Sequence, residues 1–89
     1  MRNVELFTIS GVPCALRNIC HGNGINEYAT VMDLYDAVED SKTSDELVRN
    51  INRLKLVAGV FSVDRETTEY VRLKALTPLG GADILKVYK

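Results

Sequence analysis

Apolar residues recur along this chain with two different periods, and the switch between them divides it. Over residues 3–9, Val4 and Leu6 alternate with Glu5, which predicts a strand within an extended N-terminal segment, 1–10. From Val12 the spacing becomes three and four. Val12, Ala15, Leu16 and Ile19 predict a helix over 12–21, with Pro13 near its start, where a missing N–H costs nothing. Gly22, Asn23 and Gly24 read as a turn, and residues 25–29 as a short bridge. Thr30 followed by Asp33 is the acidic form of a capping box, and Val31, Leu34, Tyr35 and Val38 give a helix over 30–39 its apolar stripe. Thr43 followed by Glu46 opens a third helix, 44–57, with Leu47, Ile51, Leu54 and Ala58 on one face and Gly59 as its stop. Beyond Gly59 the period falls to two. Phe61 and Val63 alternate with Ser62 and Asp64; Val71, Leu73 and Ala75 alternate with Tyr70, Arg72 and Lys74. The polar ETTE between these runs makes them an amphipathic hairpin, 59–76. Thr77 and Pro78 read as the N-cap and first residue of a short closing helix, 78–88.

Three helices and then a hairpin, with only Ser41, Lys42 and Thr43 between the second and third helices, predict an α+β winged helix-turn-helix. It has a three-helix core over 12–58, a C-terminal β-hairpin wing over 59–76 and the closing helix, in a single domain of residues 1–89. TVMDLYDAVEDSKTSDELVRNINRLKLVAGVFSV (30–63) resembles the T-V-x-x-L … S-x-x-x-L-x-x-x-I-x-x-L-x-x-x-G-hydrophobic run of small bacterial winged-helix regulators of the MarR-like and HxlR-like kind. LTPLG (76–80) is similar to the LT-x-x-G that closes their wing, and the resemblance spans residues 12–86. It implies a small DNA-binding transcriptional regulator, a repressor, that places helix 44–57 in the major groove.

Composition narrows the function classes. The chain has 89 residues, 46% hydrophobic and 26% charged, as an ordinary globular domain does. No apolar run nears the roughly 20 residues of a membrane span. Glu5 interrupts the apolar stretch that a signal peptide needs, so a cytoplasmic protein without membrane association is expected. Cys14 and Cys20 lie six apart with no second pair, which is not a zinc spacing; they read as reduced thiols, and no metal or cofactor is expected. With one histidine and no tryptophan, no catalytic residue is assigned and the chain is read as a non-enzyme. His21 is read as a helix-end residue, and Asp33, Asp36, Glu39 and Asp40 as a solvated acidic face. Tyr28, Tyr35, Tyr70 and Tyr88 read as edge-of-core packing, although tyrosine rings also stack on bases.

With Leu47 and Ile51 inward, helix 44–57 turns Arg49, Asn50, Asn52 and Arg53 outward. Arginine forks match the two acceptors of guanine, and asparagine amides match adenine, so RNINR is a base-reading set. Thr43 and Ser44, at the helix N-terminus, are the expected phosphate contacts. Arg65, Arg72 and Lys74 on the wing are expected to approach phosphates or the minor groove. Charge follows the same division. Residues 1–41 hold 2 basic and 6 acidic residues, net −4, whereas 42–76 hold 7 basic and 5 acidic, net +2. The implied partner is double-stranded DNA, with a homodimer doubling the contacts. The alternative is a winged-helix protein–protein interaction factor, of phage or plasmid type, that binds polymerase or another regulator without reading DNA. The acidic N-terminal half and a pI of about 5.7 favour it.

Overall fold

A computed structural model describes residues 2–20, 30–77 and 80–89. Along the described chain run β1 (Val4–Thr8), β2 (Pro13–Cys14), α1 (Arg17–Cys20), α2 (Val31–Glu39), α3 (Ser44–Arg53), β3 (Ser62–Glu66), β4 (Tyr70–Leu76) and β5 (Ala82–Tyr88). The strands form one antiparallel sheet in the order β2-β1-β5-β4-β3.

Alternation explains the sheet. Leu6, Leu85 and Leu73 stand abreast on β1, β5 and β4, and Val4, Val87 and Val71 form the adjoining row on the same face. All six are buried, and with Leu34 and Val38 of α2, Leu47 and Ile51 of α3, and Phe61 they make the core. Each such aliphatic side chain contributes about 1.5–3 kcal/mol through burial. The helices therefore cover one face of the sheet, and their starts are those the sequence predicts. Thr30 Oγ1 accepts from Asp33 N–H (3.1 Å) while the Asp33 carboxylate accepts from Thr30 N–H (2.8 Å). Thr43 Oγ1 accepts from Glu46 N–H (3.2 Å), but the Glu46 carboxylate reaches the Lys42 N–H (3.4 Å) instead of closing the box on Thr43.

The winged helix-turn-helix is overturned, although the α+β class holds. The first helix shrinks to the single turn of α1, because Pro13 and Cys14 pair with Phe7 and Leu6 as β2 after a turn at Gly11, whose φ is +88°. α3 stops at Arg53, four residues short of 57. Lys55 adopts a left-handed φ of +52°, which ends the hydrogen-bond ladder. The closing helix is a strand. Residues 82–88 form β5, which pairs with β1 on one side and β4 on the other. Thr77 is correspondingly no helix cap. Its N–H donates to the Gly81 carbonyl (2.9 Å) and its hydroxyl accepts from Gly81 N–H (3.0 Å), which closes the β4–β5 connection. The hairpin 59–76 exists as β3 and β4, but β4 is an interior strand of a larger sheet and not half of a projecting wing. Val63, read as core, is 41% exposed on the edge strand. The end of the first helix at His21, the Gly22–Gly24 turn, the 25–29 bridge with Tyr28, and Pro78 lie outside the described residues.

Candidate nucleic-acid interface

Because helices cover only one face of the sheet, the alternate residues of the same strands face solvent. Their cross-strand register sets them in rows. Tyr88 and Tyr70 are directly opposite each other on β5 and β4. The next row runs Glu5, Lys86, Arg72, Arg65 across β1, β5, β4 and β3. The third runs Pro13, Phe7, Ile84, Lys74, Ser62 across all five strands. One face thus carries an aromatic pair, a row with three cations abreast beside Glu5, and a row of three apolar residues followed by Lys74 and Ser62.

Three like charges on directly opposed positions destabilise a sheet, so the cation row costs folding energy. Three features limit that cost, the first being Glu5, the opposite charge directly across from Lys86 on β1. The Lys86 ammonium lies over the Tyr70 ring, 4.2 Å from its centroid, and 5.1 Å from that of Tyr88. The rings themselves meet edge-to-face at 6.1 Å. The neighbouring Tyr88 raises the Lys86 pKa above its ordinary value against an opposing effect of burial, and the Glu5 carboxylate adds to the rise, so the lysine stays charged. On the other side, β3 carries a bulge between Val63 and Arg65, and its extra residue, Asp64, puts a carboxylate oxygen 3.1 Å from Arg72 Nε.

Between Phe7, Thr8, Ile9 and Gly11 on one side and Tyr70 and Arg72 on the other lies a depression of about 170 Å³, with Ile84 and Lys86 also lining it. It is smaller than the roughly 300–1,000 Å³ of enclosed small-molecule pockets. The surface is an open platform for a flat group, with cations beside it.

The residues expected to read DNA are distributed differently. Arg65, Arg72 and Lys74 belong to the solvent face of the sheet. Those of α3 do not join them. Asn52 is committed to structure: its Nδ2 donates to the Phe61 carbonyl (2.9 Å) and its Oδ1 accepts from Phe61 N–H (2.8 Å), which ties the end of α3 to the approach to β3. Asn50 Nδ2 donates to Ser41 Oγ (2.9 Å), and that buried hydroxyl donates on to the Ala37 carbonyl (2.6 Å). Arg49 and Arg53 are exposed on α3, and Arg53 borders a groove with Asp33, Asp36 and Asp40, an acidic setting for a phosphate contact. Thr43 is spent as a cap. Lys89 and Ser44 line one depression with Glu66 and lower its pKa, Lys89 the more. The anion beside this helix start is the protein's own carboxylate, with Lys89 Nζ 3.0 Å from Glu66 Oε2.

The sequence alone does not single out Lys86, Ile84 and Phe7, and it gives Tyr70 and Tyr88 as edge-of-core packing, with stacking on bases as the lesser reading. In ADILKVY, Lys86 and Tyr88 alternate with Leu85 and Val87, a period-two signal that the helix assigned to 78–88 concealed. Cys14 is half-buried and Cys20 buried; both are free thiols, and burial, then the charge of Asp33, pushes the Cys20 pKa up, which leaves it unreactive. Among the described residues no group of three or more His, Cys, Asp or Glu is placed to hold a metal ion, and no helix is long and apolar enough to cross a membrane. No family model matches the chain, no curated protein is similar to it, and no solved structure matches it.

Proposed function

We propose that the protein binds single-stranded nucleic acid on the solvent face of its sheet. Tyr70 and Tyr88 supply stacking surfaces, and Lys86, Arg72, Arg65 and Lys74 contact the phosphates. The observation that carries this reading is the row Lys86–Arg72–Arg65 beside the tyrosine pair, an arrangement that costs folding stability and that a polyanion with flat bases repays. Aromatic rings flanked by cations bind single strands with little dependence on sequence, because every base has a π-face. A duplex hides those faces, and α3, with both of its asparagines bonded internally, is a poor reading helix. The regulatory role expected from the sequence is retained in this form, acting on single strands in the cytoplasm, where reduced thiols such as Cys14 and Cys20 persist.

The test is fluorescence anisotropy with labelled 12-nucleotide single strands and a matched duplex, with salt titrated. Single strands are expected to bind more tightly. Tyr70→Ala and Tyr88→Ala should each cost about 1–3 kcal/mol of binding. Lys86→Gln should weaken all sequences alike and reduce the salt slope by about 0.7. Arg49→Ala and Arg53→Ala should change nothing. Duplex binding abolished by the Arg49 and Arg53 substitutions would remove the sheet-face reading.

A protein partner is the second reading, and one observation favours it. Ile9, Val12, Val60 and Leu76 are each more than half exposed, and they fall at the end of the sheet where β1 and β4 finish and β5 begins. Leu76→Lys together with Val60→Lys would abolish a protein complex while leaving oligonucleotide binding intact.

A further inference from the structure

The bulge in β3 sets an anion against Arg72, the middle cation of the row. Asp64 is the residue the bulge adds, and Arg65 beside it is the register partner of Arg72. The ion pair is short in distance but poor in geometry. Arg72 Nε is 3.1 Å from Asp64 Oδ2, yet no hydrogen bond reaches Nε, and the atom is itself out of solvent although the arginine side chain is 39% exposed. A buried N–H with no aligned acceptor is unsatisfied, and a half-exposed ion pair of this kind is weak. An oxygen carried on a mobile phosphate can approach Nε in line with its N–H, which the Asp64 carboxylate in its position beside Arg72 does not. Arginine and phosphate also form bidentate hydrogen bonds that one misaligned carboxylate oxygen does not match.

We infer that Arg72 and Arg65 form the principal phosphate subsite of this face, and that Asp64 is its internal competitor. The inference rests on the sheet-face reading for the identity of the phosphate's owner, a nucleic-acid strand. The displacement itself needs only a phosphate. When a phosphodiester binds, Arg72 exchanges Asp64 for it, and Asp64 returns to water. The competitor weakens binding to stray anions and softens the repulsion among Lys86, Arg72 and Arg65 while the face is empty.

Two probes separate the subsite from the identity of its ligand. With the single-stranded 12-mer, Asp64→Asn should tighten binding about three- to tenfold and steepen the salt slope by about 0.7, as one more phosphate contact does. Glu69→Gln, which removes the same charge from the β3–β4 turn, should change affinity less than about twofold, as expected of an exposed charge screened by salt. In an Arg72→Gln background the gain from Asp64→Asn should vanish. With inorganic pyrophosphate, the NMR signal of the Arg72 Nε–H should shift at lower ligand concentration in Asp64→Asn than in the unsubstituted protein. Asp64→Ser should repeat the effect, and circular dichroism checks that each variant folds. If pyrophosphate shows the difference and the oligonucleotide does not bind, the subsite stands and the nucleic-acid reading falls. An Asp64→Asn gain that persists without Arg72, or equal pyrophosphate titration in both proteins, overturns the inference.

Discussion

The two faces of the sheet are built from the same strands one residue apart, yet different forces shape them. On β4 and β5, Val71, Leu73, Leu85 and Val87 go inward and are almost completely buried, while Tyr70, Arg72, Lys86 and Tyr88 go outward. Inside, opposed positions are alike because apolar side chains gain by meeting. Outside, Arg72 stands between Lys86 and Arg65, like charges that gain nothing by meeting. Folding alone explains the inner face; the outer row is what the proposed ligand would account for.

The largest expected effect breaks the inner face. Leu85→Ala removes a fully buried side chain between Leu6 and Leu73 and should cost about 2–5 kcal/mol in urea unfolding, a large part of a typical 5–15 kcal/mol. Ile51→Ala, equally buried under α3, should fall in the same range of about 2–5 kcal/mol. A loss below about 1 kcal/mol for either would mean that the helical layer is not seated on the sheet. Next comes Asn52→Ala. It strands the N–H and carbonyl of Phe61 and should cost about 1–3 kcal/mol, while oligonucleotide affinity stays unchanged. A normal melting temperature with lost binding would return Asn52 to a reading role.

Smaller and opposite in sign is Arg65→Thr. Relieving the repulsion from Arg72 should stabilise the fold by about 0.2–1 kcal/mol at low salt, and added salt should shrink the gain. Stabilisation together with weaker binding is the signature of a row kept for a ligand; destabilisation would make the row structural. The smallest effect belongs to Asp83, the β5 residue opposite Thr8 and Ala75. Burial raises its pKa above the ordinary 3.8, so the folded state holds its proton more tightly than the unfolded chain does. Stability from this group therefore falls as pH rises from its ordinary value through its raised one, and stays reduced above that. Asp83→Asn should raise the melting temperature slightly at pH 7 and make no difference at pH 3. A gain that is the same at both pH values would assign it to packing.

Elements with strong local signals were legible in the sequence. Caps at Thr30 and Thr43 marked α2 and α3, and strict alternation through YVRLKAL marked β4 and named Arg72 and Lys74 as outward-facing. What failed was long-range. Pro13 and Cys14 carry a helix-like spacing, but their pairing with β1 decided them. In β5, Ile84 and Leu85 are adjacent apolar residues that blur a period of two, and both are buried, Ile84 on the outer face and Leu85 on the inner. With β5 taken for a helix, Lys86 and Tyr88 had no place beside Arg72 and Tyr70. The sequence therefore points to α3, with the clearest amphipathic pattern, and to Arg65, Arg72 and Lys74 of the hairpin.

The position of β5 also bears on the order in which the molecule is assembled. It emerges during synthesis only after the four strands it joins, and it is the middle strand of the sheet. Until it arrives, the β1–β2 and β3–β4 hairpins have no strand in common, and β1 and β4 each offer a bare edge to whatever is nearby. Its partner β1 lies at the opposite end of the chain, with Tyr88 N–H donating to the Asn3 carbonyl (2.9 Å). The key contact therefore closes nearly the whole sequence into a loop, the kind of topology that folds slowly for its size. A nascent chain stalled before residue 82 would hold its helices and both hairpins but lack the strand that joins them. Loss of residues 82–88 alone should then yield two unjoined edges prone to pair with other chains, not a slightly shorter sheet.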